Sequence, residues 1–584
     1  MCFLGSAAYA VDADDPDYIG IDRIVPGSTG YCLTVLQDTK IERFGLKVVS
    51  IVRKFDPGRD MILVIGTDER FKKIGPVRGC SGSPVYIDGK IAGALAGAWS
   101  FSDDPLYMVT PIEDILQIGS PEASAEQPPQ SSAVSFDFSK PIDLAEFSGL
   151  MRAASANKNR SNNSLLPLVT SLPQHSCEEL TELFESVGFM PVAGTVSGQT
   201  SAETDIQPGG VLTVPIISGD ISVAAVGTAI DVRDNKVYGL GHAFPGIGYG
   251  PTDLPMAAGT VHTVVSSTLF SFKLASPGDI IGAIRSNNSA GVLGLIGQKP
   301  KTIPMYITID RSDNSQLART GIFDCRIVSH RMYSPMAVQT ALIGAATTAG
   351  SLTPEHTIKY KARIDIGNTK PITFENISSG RSFSELLDDT SGAAALLMNN
   401  PFKQTDITSM DFEMKIEPKN IRAKIWDVQL SDDTVKPSQT VDVSVILQTY
   451  RSEKELHKFR LDVPSDLKPG KYQLVIAGAA EYIRFVKNLS PHRFTALDFP
   501  TLTDALNNLL AVRRNRLFLT MEIASEGVTI RNKELPFLPQ TKALLMQDKK
   551  RTTSVMPYNQ WLEKSSEVGR IVLGKKTVQI TVAE

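Results

Sequence analysis

The stretch RGCSGSPVYIDGKIAGALAG, residues 78–97, places a serine between glycines and continues directly into two short apolar runs. Asp88-Gly89 separates PVYI from KIAGALAG and is a strong signal for a two-residue turn, so the two runs predict a β-hairpin. The glycines around Ser81 permit a tight turn in which successive N–H groups point into one concavity. The stretch is therefore either a small-residue turn that feeds two strands or a turn that presents Ser81 for attack.

Short β-branched and aromatic runs surround this hairpin throughout residues 18–118 and predict a small all-β unit. The segment TPIEDILQIG closes the unit and predicts a short helix with Thr110 as its cap and Pro111 at its first position. A second helix is predicted over residues 176–188, where Ser176 is the expected cap. Residues 18–118 are thus predicted to fold as strands with one short closing helix.

The remainder of the chain predicts further β domains. Strands return from 208 to about 365 with Gly and Pro between them, as in a barrel or sandwich. Residues 410–487 alternate apolar and polar at period two, which favours a sandwich module with a binding role. We divide the 584 residues into a leader (1–17), a β-barrel with the serine motif (18–118), a linker (119–164), a second β-barrel region (165–365), a β-sandwich-like domain (366–490) and a C-terminal α+β segment (491–584).

Composition and charge exclude several classes of function. A net charge of −4 gives no electrostatic reason to expect nucleic acid or an anionic membrane as partner, and no window approaches the ~18 apolar residues of a membrane span. No C-x-x-C spacing is present, which excludes the usual zinc and thioredoxin spacings. We expect no metal and no organic cofactor. Four cysteines are expected to be buried packing residues: Cys32, Cys80, Cys177 and Cys325.

The N-terminal stretch MCFLGSAAYAVDADD is typical of the tail of a secretory signal. A short apolar run reaches Ala8-Tyr9-Ala10, an A-x-A-like cleavage site, before an acidic segment. A frayed terminus rich in small residues is the alternative interpretation. We expect a periplasmic or secreted protein whose natural start lies upstream of the printed one.

Ser81 needs two kinds of help to act as a nucleophile. A neighbouring base must take its proton, and N–H groups must bind the oxyanion that forms on attack. The amides of Gly79 and Ser81 are the expected oxyanion donors. His242, in GLGHAF, is the candidate base: of seven histidines, it alone lies between a strand-like run and a Gly-rich turn, where an imidazole is presented at a cleft edge. A purely structural histidine is the alternative.

The pattern GxSGSPVYIDGKxxGAxA…TPIEDIL resembles the nucleophile region of the SpoIVB-type serine peptidases, a family regarded as related to the chymotrypsin-like double β-barrel proteases. The upstream stretch VPGSTGYCLTVLQDTKIERFGLKVVSIV and the later block that begins VYGLGHAFPGIGYG resemble the same family. The resemblance covers roughly residues 18–118 and 205–310. It implies a mainly β fold with a double β-barrel peptidase core. In the founding member the histidine precedes the serine, whereas here Ser81 precedes His242, so we expect the two barrels in swapped chain order. The β-sandwich-like and α+β segments that we expect after this core lie outside the resemblance.

The resemblance also implies a serine endopeptidase with Ser81 as nucleophile and His242 as general base. Asp68, in IGTDERF, lies near the position of the family's acidic residue, and Asp220 and Asn287 are alternatives for orienting the imidazole. The implied partner is a protein or peptide substrate, cleaved through an acyl-enzyme. Cleavage is expected to be regulatory or directed at the chain's own linker, residues 119–164.

Two alternatives stay open. Cys80 adjoins Ser81 and is a second candidate nucleophile. A catalytically inactive, secreted binding or scaffold protein would retain the same fold, and the sandwich-like segment, with a protein partner of its own, supports that interpretation. The geometry of Ser81 Oγ and the His242 ring discriminates between peptidase and scaffold.

Overall fold

A computed structural model shows that the chain is mainly β. The described residues fall into two compact units, one within 1–134, 148–306 and 323–348, the other within 135–147, 307–322 and 349–584. The structure describes residues 15–56, 59–99, 102, 104–120, 136–147, 149, 165–194, 205–267, 271–311, 320–348, 350, 352–450, 453–523, 527–530, 532–546 and 555–584.

The first unit begins with a closed six-stranded barrel in the order β1-β2-β3-β7-β6-β5. Inward-facing apolar side chains, among them Phe44, Ile62 and Val109, fill it. The predicted hairpin joins β5 to β6, with Asp88 at φ 52° and Gly89 at φ 78°, as a two-residue turn of this kind requires. The elements are β1 (Thr29–Val35), β2 (Ile41–Asp56), β3 (Arg59–Gly66), α1 (Glu69–Ile74), β4 (Val77–Arg78), β5 (Pro84–Ile87), β6 (Lys90–Ala98), β7 (Leu106–Pro111) and α2 (Ile112–Leu116).

A second six-stranded ring follows in the same unit. Its strands are β10 (Val211–Gly219), β11 (Val223–Arg233), β12 (Lys236–Gly239), β13 (Gly250–Val265), β14 (Ser271–Asn288) and β15 (Gly291–Ile296). They pair in the order β10-β13-β14-β15-β12-β11, and β11 pairs back to β10. The predicted fold class, mainly β with a double-barrel core, is confirmed. The barrel with the Ser81 turn comes first along the chain. His242 belongs to the second barrel, where it follows the end of β12.

Further elements extend the second ring. The strand β17 pairs with β10, and β8 pairs with both β11 and the parallel strand β9. These elements are β8 (Leu166–Thr170), α3 (Gln174–Ser186), β9 (Phe189–Ala193), β16 (Thr302–Arg311), β17 (Gly321–Val328) and α4 (Tyr333–Thr348).

Both helix caps that the sequence predicts in this unit are wrong, although the helices exist. Helix α2 begins at Ile112 with Pro111 as its N-cap, because Thr110 belongs to β7 and donates its hydroxyl to Gly241 O at 2.7 Å. Helix α3 begins at Gln174 after Pro173, whose φ of −57° already suits a helix start. Ser176 instead donates to Thr347 Oγ1 at 3.0 Å. Both hydroxyls predicted to cap a helix therefore form tertiary hydrogen bonds instead.

The second unit contains a β-sandwich. The sheets β24-β23-β21-β31 and β22-β32-β25-β26-β30 contribute side chains to one apolar core, which includes Val443, Leu474 and Leu519. Strands after residue 516 thus complete a sandwich that begins near residue 422. The predicted domain boundaries stay predictions. The elements of this unit are β18 (His356–Ile366), β19 (Thr369–Gly380), α5 (Ser384–Met398), β20 (Ile407–Glu417), β21 (Arg422–Leu430), β22 (Thr434–Val435), β23 (Thr440–Thr449), β24 (Lys454–Asp462), β25 (Gly470–Gly478), α6 (Ala479–Leu489), α7 (Phe499–Leu510), β26 (Arg516–Ile523), β27 (Val528–Ile530), β28 (Lys533–Leu535), α8 (Gln540–Met546), β29 (Val555–Pro557), β30 (Gln560–Glu567), β31 (Ile571–Leu573) and β32 (Lys575–Val582).

The four cysteines expected to serve as packing residues are all buried and are free thiols, which confirms that prediction. Within the described ranges, no helix combines the length and the apolar character that crossing a membrane demands. Over the same part of the chain, the His, Cys, Asp and Glu side chains form no group of three or more that is placed to hold a metal ion.

Candidate active site

A tight turn, residues 79–83, carries Ser81 between β4 and β5, and its carbonyl groups are fixed by hydrogen bonds. Cys80 O accepts both the amide and the hydroxyl of Ser83, at 2.9 and 2.6 Å. Gly79 O accepts the hydroxyl of Thr228 at 3.0 Å, and Ser81 O accepts the amide of Thr228 at 2.9 Å. One residue of the second barrel therefore holds two carbonyls of a turn that belongs to the first.

The amides of the turn divide into two groups. For Gly79 and Ser81 the described residues provide no recorded backbone or side-chain acceptor. Because N–H and C=O point in opposite directions across a trans peptide, the held Cys80 carbonyl fixes the direction of the Ser81 N–H. The two amides without an acceptor are those expected to bind an oxyanion. The other three donate to backbone carbonyls: Cys80 N to Val77 O at 3.2 Å, Gly82 N to Leu95 O at 2.7 Å and Ser83 N to Cys80 O at 2.9 Å.

A cavity of about 160 Å³ lies beside Ser81. Its walls come from the turn, from the end of β6 and from the start of β8, and they are mostly apolar. Arg78 is the single charged residue among the described residues that line it. The apolar lining residues include Val77, Leu95, Trp99, Tyr107, Leu166 and Pro167.

His242 follows β12 in a turn with left-handed backbone. Leu240 has φ 71° and Gly241 has φ 69°, and the former is unusual for a residue with a branched side chain. The His242 ring is partly buried, and its Nδ1 lies 2.9 Å from Ala243 O. If Nδ1 carries the proton and donates to that carbonyl, Nε2 is left as a proton acceptor. Burial lowers the pKa of His242, against the opposing effect of the Ala243 bond, and the positive charge of Arg59 lowers it further.

The serine turn and the histidine turn are in direct contact. A methyl group placed on Gly82 would lie 2.6 Å from Leu240 N, and one placed on Gly241 would lie 2.8 Å from Leu95 O. That same Leu95 carbonyl accepts the Gly82 amide. Within the described part of the chain, no hydrogen bond between Ser81 Oγ and the His242 ring is recorded. The backbones that carry the two side chains therefore meet, one from each barrel.

Asn287 fixes the loop that follows His242. Its buried side chain accepts the amide of Phe244 at 2.7 Å and donates to Phe244 O at 3.1 Å and to Gly248 O at 2.6 Å. Tyr333 of α4 donates its hydroxyl to Pro245 O in the same loop. Asn287 thus lies close to the histidine in the fold and acts on the backbone beside it.

Comparison with known families gives one result for this site. Residues 9–107 match the model of a family described as SpoIVB peptidase S55. The SpoIVB-type resemblance is confirmed for this segment. The match includes the turn with Ser81 and ends before the second barrel, so it does not extend to His242. The searches of curated proteins and of solved structures gave no match.

The structure places the other two candidates for orienting the imidazole in local hydrogen bonds. Asp68 caps α1 and accepts from Arg70 N at 2.9 Å and Arg70 Nε at 3.2 Å, and the guanidinium holds the pKa of that carboxyl below its usual range. Asp220 accepts from Asp324 N at 2.7 Å. Among the described residues, neither carboxylate accepts a hydrogen bond from His242. The third member of a SpoIVB-type triad stays a prediction.

Sequence reasoning missed three residues that surround the turn: Lys273, Thr34 and Thr228. Lys273 lies in SFKLA of β14, where Ser271, Lys273 and Ala275 are buried and the two apolar residues between them are less so. A period-two reading normally places the apolar residues inside and lysine outside. The one signal in the sequence is that Ser271 and Ala275, which share a strand face with Lys273, are small, as is expected of a closely packed face.

Proposed function

We propose that the protein is a serine endopeptidase of the SpoIVB type that cleaves protein substrates through an acyl-enzyme. The contact between the Ser81 turn and the turn before His242 is the observation that carries this proposal. In it, Ser81 Oγ attacks the scissile carbonyl while His242 Nε2 takes the hydroxyl proton. The same proton then passes to the leaving amine, and a water molecule, deprotonated by His242, hydrolyses the acyl-enzyme.

The amides of Gly79 and Ser81 bind the oxyanion in this scheme. Both lack a recorded acceptor among the described residues, so each is available to a substrate carbonyl oxygen. Ala243 O supplies the orientation of the imidazole that a carboxylate supplies in other serine peptidases, because it fixes Nδ1 as the protonated nitrogen. The apolar cavity beside Ser81 receives a side chain of the substrate, and we expect apolar residues to be preferred there.

A fluorophosphonate probe tests the proposal on the full chain. Such a probe phosphonylates an activated serine, and tandem mass spectrometry should find the adduct on Ser81. The rate should fall on acidification, because His242 must be neutral to accept the proton. Since burial lowers the pKa of His242, the midpoint of that fall should lie below the ordinary histidine value of about 6.5.

An adduct on Cys80 would assign the reaction to a thiol, and the absence of any adduct would favour the scaffold. A midpoint above the ordinary histidine value would contradict the assignment of His242 as the base.

Self-cleavage is part of the same proposal. Leu165, Leu166 and Pro167 come directly after the predicted linker, most of which lies outside the described residues, and they line the cavity beside Ser81. The residues that directly follow the predicted linker are therefore close to Ser81 in the same molecule. Purified wild-type chain should be cut within 119–164 on long incubation, while Ser81→Ala chain stays intact. Equal stability of the two chains would contradict self-cleavage.

A scaffold function is the second candidate, and one feature of the sandwich is compatible with it. Trp426 and Leu456 lie on the outer face of the sheet β24-β23-β21-β31 and are 50% and 58% exposed. A contiguous apolar patch on a sheet face is typical of a surface that binds another protein, whereas single exposed apolar residues are ordinary on any protein. A partner bound there is compatible with either an active or an inactive double barrel, so the probe experiment decides between the two functions.

A further inference from the structure

Lys273 of β14 is a completely buried cationic side chain next to the nucleophile turn. Its exposed fraction is 0%, and lysine is almost never buried to this degree without a carboxylate partner. Among the described residues, no carboxylate is recorded as its hydrogen-bond or ion-pair partner. Burial lowers the pKa of Lys273, and the thiols of Cys80 and Cys32 nearby oppose that shift. The amine therefore occupies a place where an apolar side chain would avoid the cost of desolvation.

The amine instead makes two hydrogen bonds to threonine hydroxyls from different barrels. Nζ donates to Thr34 Oγ1 of β1 at 2.9 Å and to Thr228 Oγ1 of β11 at 3.2 Å. Each hydroxyl in turn donates a hydrogen bond to the nucleophile turn. Thr228 donates to Gly79 O at 3.0 Å, and Thr34 donates to Cys80 Sγ at 3.7 Å. A hydroxyl that accepts from Nζ has its remaining proton free to point at the turn.

The aliphatic stem of Lys273 supports the same turn. A methyl group placed on Gly79 would lie 3.3 Å from Cβ, Cγ and Cδ of Lys273, which is tight contact. Gly79 has φ 93°, a conformation that only glycine adopts without strain. The stem and the two relayed hydrogen bonds therefore act on Gly79 and Cys80, the two residues that precede the nucleophile.

We propose that Lys273 is a positioning residue that holds the Ser81 turn in the conformation in which the amides of Gly79 and Ser81 face a substrate oxyanion. It does so through the hydroxyls of Thr34 and Thr228. The inference rests on the proposed peptidase function for its catalytic meaning and on the hydrogen bonds alone for its structural meaning. No covalent step and no proton transfer are assigned to Lys273.

Lys273→Met in the full chain separates this role from simple packing. Methionine keeps an unbranched stem below Gly79 and removes the N–H donors. Fluorophosphonate labelling of Ser81 should slow by about tenfold or more, and amide exchange of the peptide that contains residues 79–83 should quicken by a similar factor. The unfolding temperature should stay equal or rise, because a buried amine no longer has to be desolvated. A merely structural lysine would lower the unfolding temperature and leave both rates unchanged in the folded protein.

Thr228→Val and Thr228→Ser form a matched pair for the relay. Valine has the shape of threonine without the hydroxyl, so it should reproduce the slow labelling and fast exchange of Lys273→Met, while serine should stay near wild type. Because Lys273 and Thr228 belong to the same chain of hydrogen bonds, the labelling and exchange rates of the double variant Lys273→Met/Thr228→Val should differ little from those of either single variant.

Labelling and exchange in Lys273→Met within about twofold of wild type would overturn the inference. If Lys273→Met does not fold, the valine and serine pair at Thr228 decides by the same two rates. If wild-type protein takes up no probe at all, the proposed function fails, and the amide exchange of residues 79–83 still decides whether Lys273 holds the turn.

Discussion

Alanine at Ser81 is expected to abolish peptide hydrolysis, with a fall in kcat of about 10⁶-fold. The reason is chemical: the attacking oxygen is removed, and the amides beside it have no oxyanion to bind without an attack. His242→Ala should cost nearly as much, because an unactivated hydroxyl is a poor nucleophile. The double variant should be no slower than Ser81→Ala alone, since the two groups act as one unit. Initial rates on an unfolded protein substrate, measured with purified full-length variants, check these values.

Ser83→Ala is the matched control. Ser83 lies in the same turn, and its hydroxyl donates to Cys80 O, but its amide also donates to that carbonyl and remains after the substitution. The turn should keep its shape, and most of the activity should survive. Hydrolysis that persists in Ser81→Ala would contradict the assignment of Ser81 as the nucleophile. Loss of hydrolysis in Cys80→Ala but not in Ser81→Ala would transfer the role to the thiol.

Gly82→Ala is expected to destabilise the first unit by about 4 kcal/mol or more, at the extreme end of single substitutions. The new methyl group would clash first with Thr228 O of β11 and would also lie 2.6 Å from Leu240 N, and the φ of 93° is strained for any residue with a Cβ atom. Backbone cannot give way as a flexible side chain can, so the two turns must separate. Calorimetry of the full chain should show that the first unit unfolds at a lower temperature. Fluorophosphonate labelling of Ser81 should be lost at temperatures where the protein is still folded.

Gly89→Ala provides the comparison for Gly82→Ala. Gly89 also has positive φ, 78°, but nothing lies within 4 Å of a methyl group placed there. This variant should therefore show only the cost of a left-handed backbone, about 1–2 kcal/mol. If Gly82→Ala is no less stable than Gly89→Ala, the close contact between the serine turn and the histidine turn is refuted.

Local signals in the sequence predicted the β5–β6 hairpin of the first barrel, but not the strand β7 that pairs with β6. Asp88-Gly89 has the backbone preference of a two-residue turn, and the turn that it predicts joins β5 to β6 as expected. Both predicted helix caps were wrong, because each expected capping hydroxyl donates to a distant acceptor instead. Thr110 bonds to Gly241 O and Ser176 to Thr347, and neither acceptor is near in sequence.

Long-range contacts explain what the sequence did not show. The pairing of β25 with β32 joins residues about a hundred positions apart, so the alternation of 410–487 could indicate a sandwich but not the strands that complete it. The proximity of the Ser81 turn to His242 was expected only from the family resemblance, since no periodicity relates the two. Lys273 was missed because strand patterns place lysine in solvent, whereas here two buried hydroxyls accept its protons.

The order of the two barrels along the chain has a consequence for biosynthesis. At ordinary elongation rates the ribosome adds Ser81 to the chain about 8–32 s before it adds His242. During that interval the nascent polypeptide contains Ser81 without His242, its proposed base, and Gly79 O and Ser81 O lack the hydrogen bonds that Thr228 donates in the folded unit. The proposed peptidase is therefore inactive during synthesis of the first barrel. It becomes active only after the second barrel has been made and has docked.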